Sequence, residues 1–226
     1  MSKPARVLVA TEGPTDRVVL EAILPRILAR EVVLTSLQPT DESLAFGQGG
    51  PAGFGWRGVL GWCDEVRGAG GLSSLGALLN ADFLVVHLDG DVAREQEISL
   101  ACPCPPADPT ADALRGLLMR RLGMDAPSPR VVLCVPMDAT EAWLVAMLRD
   151  EPITECDPKP ENRFKGGRPK LLEQGGKKKT LEYRAHKAAM ASGWPRALAL
   201  SQAARFEREV LAARDAHQAA QREPTP

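Results

Sequence analysis

The chain has few aromatic side chains: four Trp, one Tyr and five Phe, 4% of 226 residues. Aromatic stacking therefore cannot dominate any contact with nucleic-acid bases. Long apolar runs are missing too. None approaches the ~18 residues that a membrane-crossing helix needs, so no membrane partner is expected. The five cysteines (Cys63, Cys102, Cys104, Cys134 and Cys156) are an odd set without framework spacing. Cys102-Pro103-Cys104 lacks the second pair that a zinc site requires. Met1 to Arg6 runs straight into a short strand rather than a secretory leader. These features predict reduced thiols and a cytoplasmic setting. No Gly-x-x-x-x-Gly-Lys-Ser/Thr loop is present, which excludes ATP hydrolysis by that route. Neither a Gly-x-Ser-x-Gly motif nor a Cys/His pair points to acyl transfer. The glycine-rich stretch from Phe46 to Gly55 lacks the strand-turn-helix context of a dinucleotide fingerprint and reads as a loop.

The pattern that remains is an alternation of short apolar runs and amphipathic segments. Residues 6–11 read as a buried strand. Pro14, Thr15 and Asp16 then open a helix to about Arg30, with Thr15 or Asp16 as its cap and Pro25 as a kink. A second strand covers 31–36, so a β-α-β unit and a parallel sheet are expected at once. Further helices are predicted at 57–68 and 72–80, a third strand at 82–88, a Pro/Cys-rich insertion at 95–110 and a helix at 110–122. A fourth strand at 130–135 and a helix at 139–149 complete an α/β domain over residues 1–150. Trp143 falls on the last of these helices and reads as core packing.

After residue 150 the character changes. Lys159, Arg163, Lys165, Arg168, Lys170, Lys177, Lys178, Lys179, Arg184 and Lys187 face few acids, although the whole chain carries a net charge of only −1. A basic segment and a last helix (about 195–218) are expected over 151–218, with a disordered tail over 219–226.

Two acidic clusters carry the chemistry. Val7-Leu8-Val9-Ala10-Thr11 runs into Glu12-Gly13, and Phe83-Leu84-Val85-Val86-His87-Leu88 runs into Asp89-Gly90-Asp91. In open α/β sheets ligands bind outside the carboxyl ends of the strands. Carboxylates gathered there repel one another unless a cation holds them. Mg²⁺ takes oxygen ligands and binds through one or two carboxylates plus phosphate oxygens. Asp89 and Asp91 fit that role if the extended geometry continues past the strand, and the small Gly90 permits close approach. Glu12 is a metal ligand or a general acid/base. Glu141 opens a helix after the fourth strand and reaches the same edge; its alternative role is to offset the helix dipole. His87 reads as a core histidine.

The order Glu12-Gly13, then Asp89-Gly90-Asp91, resembles the TOPRIM domain. That domain occurs in topoisomerases, bacterial primases, recombination proteins and the overcoming-lysogenization-defect (OLD) nucleases. The resemblance covers residues 5–150. Glu12-Gly13-Pro14-Thr15-Asp16 and Pro136-Met137-Asp138-Ala139-Thr140-Glu141-Ala142-Trp143-Leu144 extend it to small stand-alone bacterial TOPRIM-like proteins. It implies a Rossmann-like, mostly parallel sheet flanked by helices, to which the charge pattern after residue 150 adds a basic C-terminal helical extension. It also implies Mg²⁺- or Mn²⁺-dependent cleavage of phosphodiesters, with Glu12 as general acid/base and Asp89 and Asp91 as metal ligands. A nuclease role in phage defence or DNA repair, a DNA or RNA substrate and a separate ATPase partner follow from the resemblance alone. The single tyrosine, Tyr183, lies in the basic segment rather than where a topoisomerase nucleophile belongs, and no primase zinc module precedes the domain.

The basic segment, taken over 159–187, would grip phosphates, and Lys179 and Lys187 are its candidates for stabilising developing charge. Two other readings stay open. One is a non-catalytic TOPRIM-like binding or regulatory subunit. The other is a phosphotransferase or phosphatase with Asp89 as nucleophile, against which stands a first strand that ends in Glu12.

Overall fold

The computed structural model describes residues 3–40, 53–149, 151–165, 168–172 and 178–222. Phe46 to Ala52 of the glycine-rich stretch, Lys177 and the end of the tail lie outside them. Four strands form one all-parallel sheet: β1 (Ala5–Ala10), β2 (Val32–Gln38), β3 (Phe83–His87) and β4 (Val131–Cys134), in the order β2-β1-β3-β4. The helices on its faces are α1 (Pro14–Leu28), α2 (Gly55–Gly68), the single turn α3 (Gly76–Leu79), α4 (Asp108–Leu122), α5 (Thr140–Leu148), α6 (Thr180–Ala185), α7 (Lys187–Ala197) and α8 (Ser201–Arg222). The α/β class and the parallel sheet expected from the sequence are both present, and the arrangement is compatible with a Rossmann-like fold.

Side-chain alternation along the strands builds two cores. Val7 and Val9 of β1, Phe83 and Val85 of β3 and Val132 and Cys134 of β4 face α1, α5, α7 and α8. Leu8 and Ala10, Leu84 and Val86, and Leu133 face the opposite side, with α2 and α4. All five residues of β3 are buried, which is why that strand reads as a continuous apolar run rather than an alternating one. Each such fully buried Val, Leu or Phe contributes about 1.5–3 kcal/mol relative to exposure.

Local chemistry departs from expectation in several places. Helix α1 is capped at Gly13, in extended backbone, and Pro14 occupies its first turn. That suits proline, whose missing N–H is not needed there. Thr15 and Asp16 are therefore inside the helix and buried, and α1 passes Pro25 to end at Leu28. In the C-terminal part three helices stand where one was expected, and α8 continues through residues 219–222 into the expected tail.

The boundary expected at 150 separates segments that share a core. Trp143 of α5 packs edge-on against Trp194 of α7, with ring centroids 5.5 Å apart, and lies 5.6 Å from Phe206 of α8. A Cβ at Gly193 would sit 2.2 Å from the Met147 carbonyl oxygen, so glycine is what lets α7 approach α5 this closely. The cysteines also differ from the reading as reduced thiols: Cys104 and Cys156, 52 residues apart, form a disulfide. It ties the Pro/Cys-rich insertion to the segment after α5. Spacing does not reveal this pairing because the fold, not the local chain, brings the two together. Among the described residues no helix is long and apolar enough to cross a membrane.

Candidate metal centre

The carboxyl ends of β1 and β3 lie side by side, joined by the pairing of Ala10 with Val86. Glu12 follows β1 by two residues. Its backbone carbonyl accepts from the Gly55 N–H at 2.9 Å, and its Oε1 accepts from the Asp89 N–H at 2.7 Å. The two acidic clusters read from the sequence are thus joined by a direct hydrogen bond. Asp89 is buried, and its Oδ1 accepts from both the N–H and the hydroxyl of Thr140, each at 3.0 Å. The Thr140 hydroxyl also lies 2.7 Å from His87 Nε2. Both contacts are satisfied when the imidazole Nε2–H donates to Thr140 and the hydroxyl donates on to Asp89. His87, pushed below its usual range by burial, is neutral in that arrangement. It orients Asp89 through Thr140, a role that reading it as a core histidine did not include. A ring nitrogen of His87 and carboxylate oxygens of Glu12 and Asp89 lie within 4.8 Å of one another; with Nε2 donating to Thr140, the two carboxylates are the ligands this arrangement leaves open.

Asp91 is placed differently from expectation. The extended run stops, and residues Gly90–Arg94 form a 3₁₀ turn. Gly90 and Asp91 donate their N–H groups to the carbonyls of Pro136 and Asp138, at 2.9 and 2.8 Å. A Cβ at Gly90 would meet Met137 Sδ at 2.0 Å. The close approach foreseen at Gly90 is therefore made by Met137. Asp91 stands at the exposed rim, with buried Asp138 beside it in an ion pair to Arg94 at 2.6 Å.

Glu141 lies in the first turn of α5 and is buried. Its Oε1 accepts from the Tyr183 hydroxyl at 2.8 Å and pairs with Lys178 Nζ at 2.9 Å. Lys178 also stands 3.9 Å from Asp16 Oδ1, a buried oxygen without a hydrogen-bond donor. Lys178 thus faces the carboxylates. Its neighbour Lys179 donates its backbone N–H to the Leu171 carbonyl and precedes α6. Lys187 pairs with Glu21 at 3.0 Å, and Arg163 with Glu151 and Asp157. Several cations of the basic segment are therefore engaged by acids of the fold.

The electrostatics divide the site. Burial, then Asp16 and Asp91, push Glu12 up to about 8. Burial, then Glu12 and Asp16, hold Asp89 well above the carboxylate range. Desolvation, then Asp138, raise Asp91 to about 6. Burial also opposes the charge of Glu141, yet Lys178 and Tyr183 outweigh it and hold that carboxyl low. Burial disfavours the Lys178 charge, but Glu141, Asp16 and Asp89 drive its pKa well up. The result is a carboxyl-rich cluster in which Glu12 and Asp89 favour their protonated forms. It lines a cleft of about 480 Å³ formed by Glu12, Asp16, Phe54, Asp89, Lys178 and Thr180 among others.

The donor set fits a hard divalent cation, since carboxylate oxygens predominate and their own repulsion favours an added charge. Asp16, Thr140, Lys178 and Tyr183 join the site although sequence reasoning gave them no role in it. Asp16 carried a signal: it stands in the first turn of α1, directly after the end of β1 that delivers Glu12. Comparison with protein-family models, with curated proteins and with solved structures returns no match for this chain.

Proposed function

We propose that the chain is a TOPRIM-type, divalent-metal-dependent phosphodiesterase that cleaves nucleic acid. One observation carries the reading. Glu12, Asp16, Asp89, Glu141 and, at the rim, Asp91 converge at the carboxyl ends of parallel strands around the ammonium of Lys178. In this reading Glu12, Asp89 and Asp91 hold Mg²⁺ or Mn²⁺, and Asp16 adds a further oxygen. The bound metal would polarise a phosphate oxygen and lower the pKa of a water nucleophile.

The protein's own groups then have separable tasks. Glu12, its carboxyl raised to about 8 in the metal-free site, holds a proton that the cation displaces near neutral pH. Lys178 offers positive charge to the phosphate as negative charge develops. Glu141 and Tyr183 fix Lys178 rather than touch the substrate. Thr140 and His87 fix the Asp89 carboxylate. Phe54, exposed on the cleft wall, gives an adjacent base an apolar face. A role in phage defence or DNA repair, and an ATPase partner, belong to the same reading through the resemblance described above.

The test is cleavage of supercoiled plasmid and of structured RNA with Mg²⁺ or Mn²⁺, against Glu12→Gln, Asp89→Asn and Lys178→Ala. Metal-dependent nicking that disappears in the first two variants and on chelation supports the proposal. Undiminished cleavage by Asp89→Asn, or cleavage that survives chelation, sinks it.

A further inference from the structure

A second cavity, of about 260 Å³, lies away from the acidic cleft, at the open edge of β4 between α4 and α8. Its wall is apolar over most of its length: Met119 and Met124, Pro127 and Pro129, Val131 and Leu133, Ala212 and Ala213. Into this wall the fold builds two arginines, Arg115 and Arg205, and one acid, Glu209.

Arg115 is the unusual member. It is 5% exposed, and its Nε donates to the Leu133 carbonyl at 3.2 Å. Both terminal guanidinium nitrogens are buried without a hydrogen-bond partner. The nearest carboxylate, Asp112, is 4.0 Å away, at the limit of an ion pair. Arg205 takes the acids that would otherwise serve Arg115, pairing closely with Asp112 and, at 2.8 Å, with Glu209. A guanidinium does not shed its proton in a protein. A buried cation without close compensation is costly, and among the described residues only the Leu133 carbonyl and the distant Asp112 carboxylate offset it.

We infer that this cavity is a binding site for a small amphipathic carboxylate, its head paired with Arg115 and its hydrocarbon part on the methionine and proline wall. Charge and size select this class. Arg205 engages both Asp112 and Glu209 closely, so the terminal nitrogens of Arg115 are left without a close anionic partner, which a carboxylate supplies. A guanidinium presents parallel N–H donors that match a carboxylate. At roughly 30 Å³ per non-hydrogen atom, the volume a liquid water takes, the cavity admits a ligand of about nine such atoms. The guanidinium nitrogens are covered, so binding requires a wall side chain to give way. Met119 and Met124 are unbranched and re-pack readily.

The experiment titrates the full chain with linear carboxylates from hexanoate to decanoate and with the matching alcohols. Calorimetry gives affinity, and NMR of methyl-labelled Met119 and Met124 gives location. Octanoate is expected to bind at least tenfold more tightly than octanol and to shift both methyl resonances. In Arg115→Met, which keeps the apolar wall and removes the charge, the preference should reverse, with octanol binding retained. That retained binding also reports that the variant is folded. Equal affinity for acid and alcohol in the unmodified chain overturns the proposal, as does octanoate binding that leaves both methionine methyls unmoved. Unchanged acid preference in Arg115→Met overturns it as well.

Discussion

Glu12 and Glu141 are the same residue type, at the same edge of one sheet, in one cluster, and their carboxyls move in opposite directions. Glu12 rises to about 8 because burial and the nearby acids Asp16 and Asp91 outweigh the one N–H it accepts from Asp89. Glu141 is more deeply buried yet falls, because Lys178 and Tyr183 both donate to it. Burial alone does not decide whether a carboxylate is charged; the donors supplied along with burial do. The cluster therefore contains a satisfied half, Glu141 with Lys178 and Tyr183, and an unsatisfied half, Glu12 with Asp89 and Asp91. The satisfied half holds Lys178 in place, and in the proposed function the unsatisfied half takes the cation.

Removing the lysine breaks the contrast most severely. Lys178→Met leaves Glu141 buried without its cation and is expected to destabilise the fold by about 3 kcal/mol. That is the lower part of the range for broken buried pairs, since the Lys178 side chain is a third exposed. Lys179→Met should cost under about 0.5 kcal/mol, as surface changes do. Urea unfolding of both variants decides between them, and Lys178→Met with Glu141→Gln should recover part of the loss.

Loosening Asp89 tests the unsatisfied half. Thr140→Val removes the hydroxyl that links His87 to Asp89 while leaving the backbone donor in place. Groups that orient a metal ligand are worth about 10–100-fold in metal affinity, and Mn²⁺ titration by calorimetry should show a loss of that order with little change in melting temperature. A loss under twofold would remove Thr140 and His87 from the site.

Tyr183→Phe is gentler. It deletes one hydrogen bond to a charged acceptor and should cost about 1.5 kcal/mol in urea unfolding. It should leave metal affinity within twofold, because Glu141 belongs to the satisfied half.

The pH dependence is the finest test. A carboxyl raised from 4.5 to about 8 on folding binds its proton more tightly in the native state. Between those values the folded chain holds more protons than the unfolded one, so stability of the metal-free protein falls as pH rises across the window. Added Mg²⁺ or Mn²⁺ should restore it increasingly towards pH 8, because the metal binds the deprotonated form. In Glu12→Gln both the slope and the restoration should shrink, which melting curves from pH 5 to 8.5 will show.

Much of the unsatisfied half was legible in the chain. An apolar run followed by an acid is a local signature, and Glu12, Asp89 and Asp91 each sit next to the strand that delivers them. The satisfied half was less so. Glu141 showed its position but not its partners, and Lys178 could not be told from Lys179, because neighbouring side chains point in different directions that only packing fixes. Asp16 read as a helix cap until Gly13 was found at that position. Asp91 read as part of an extended run until the 3₁₀ turn re-aimed it.

What the sequence determined by itself is what nearest neighbours along the chain dictate. Short β-branched runs become buried parallel strands, amphipathic segments between them become covering helices, and acids just past strand ends collect at one edge of the sheet. What only the tertiary structure decided depends on residues far apart in the chain: Tyr183 on Glu141 across 42 positions, Thr140 on Asp89 across 51, Cys104 with Cys156 across 52. The same holds for Arg115, which Arg205 deprives of Asp112 from 93 residues away. Such pairings arise only once the cores on both faces of the sheet have closed, since loop closure over those distances must be offset by burial before any single contact can form.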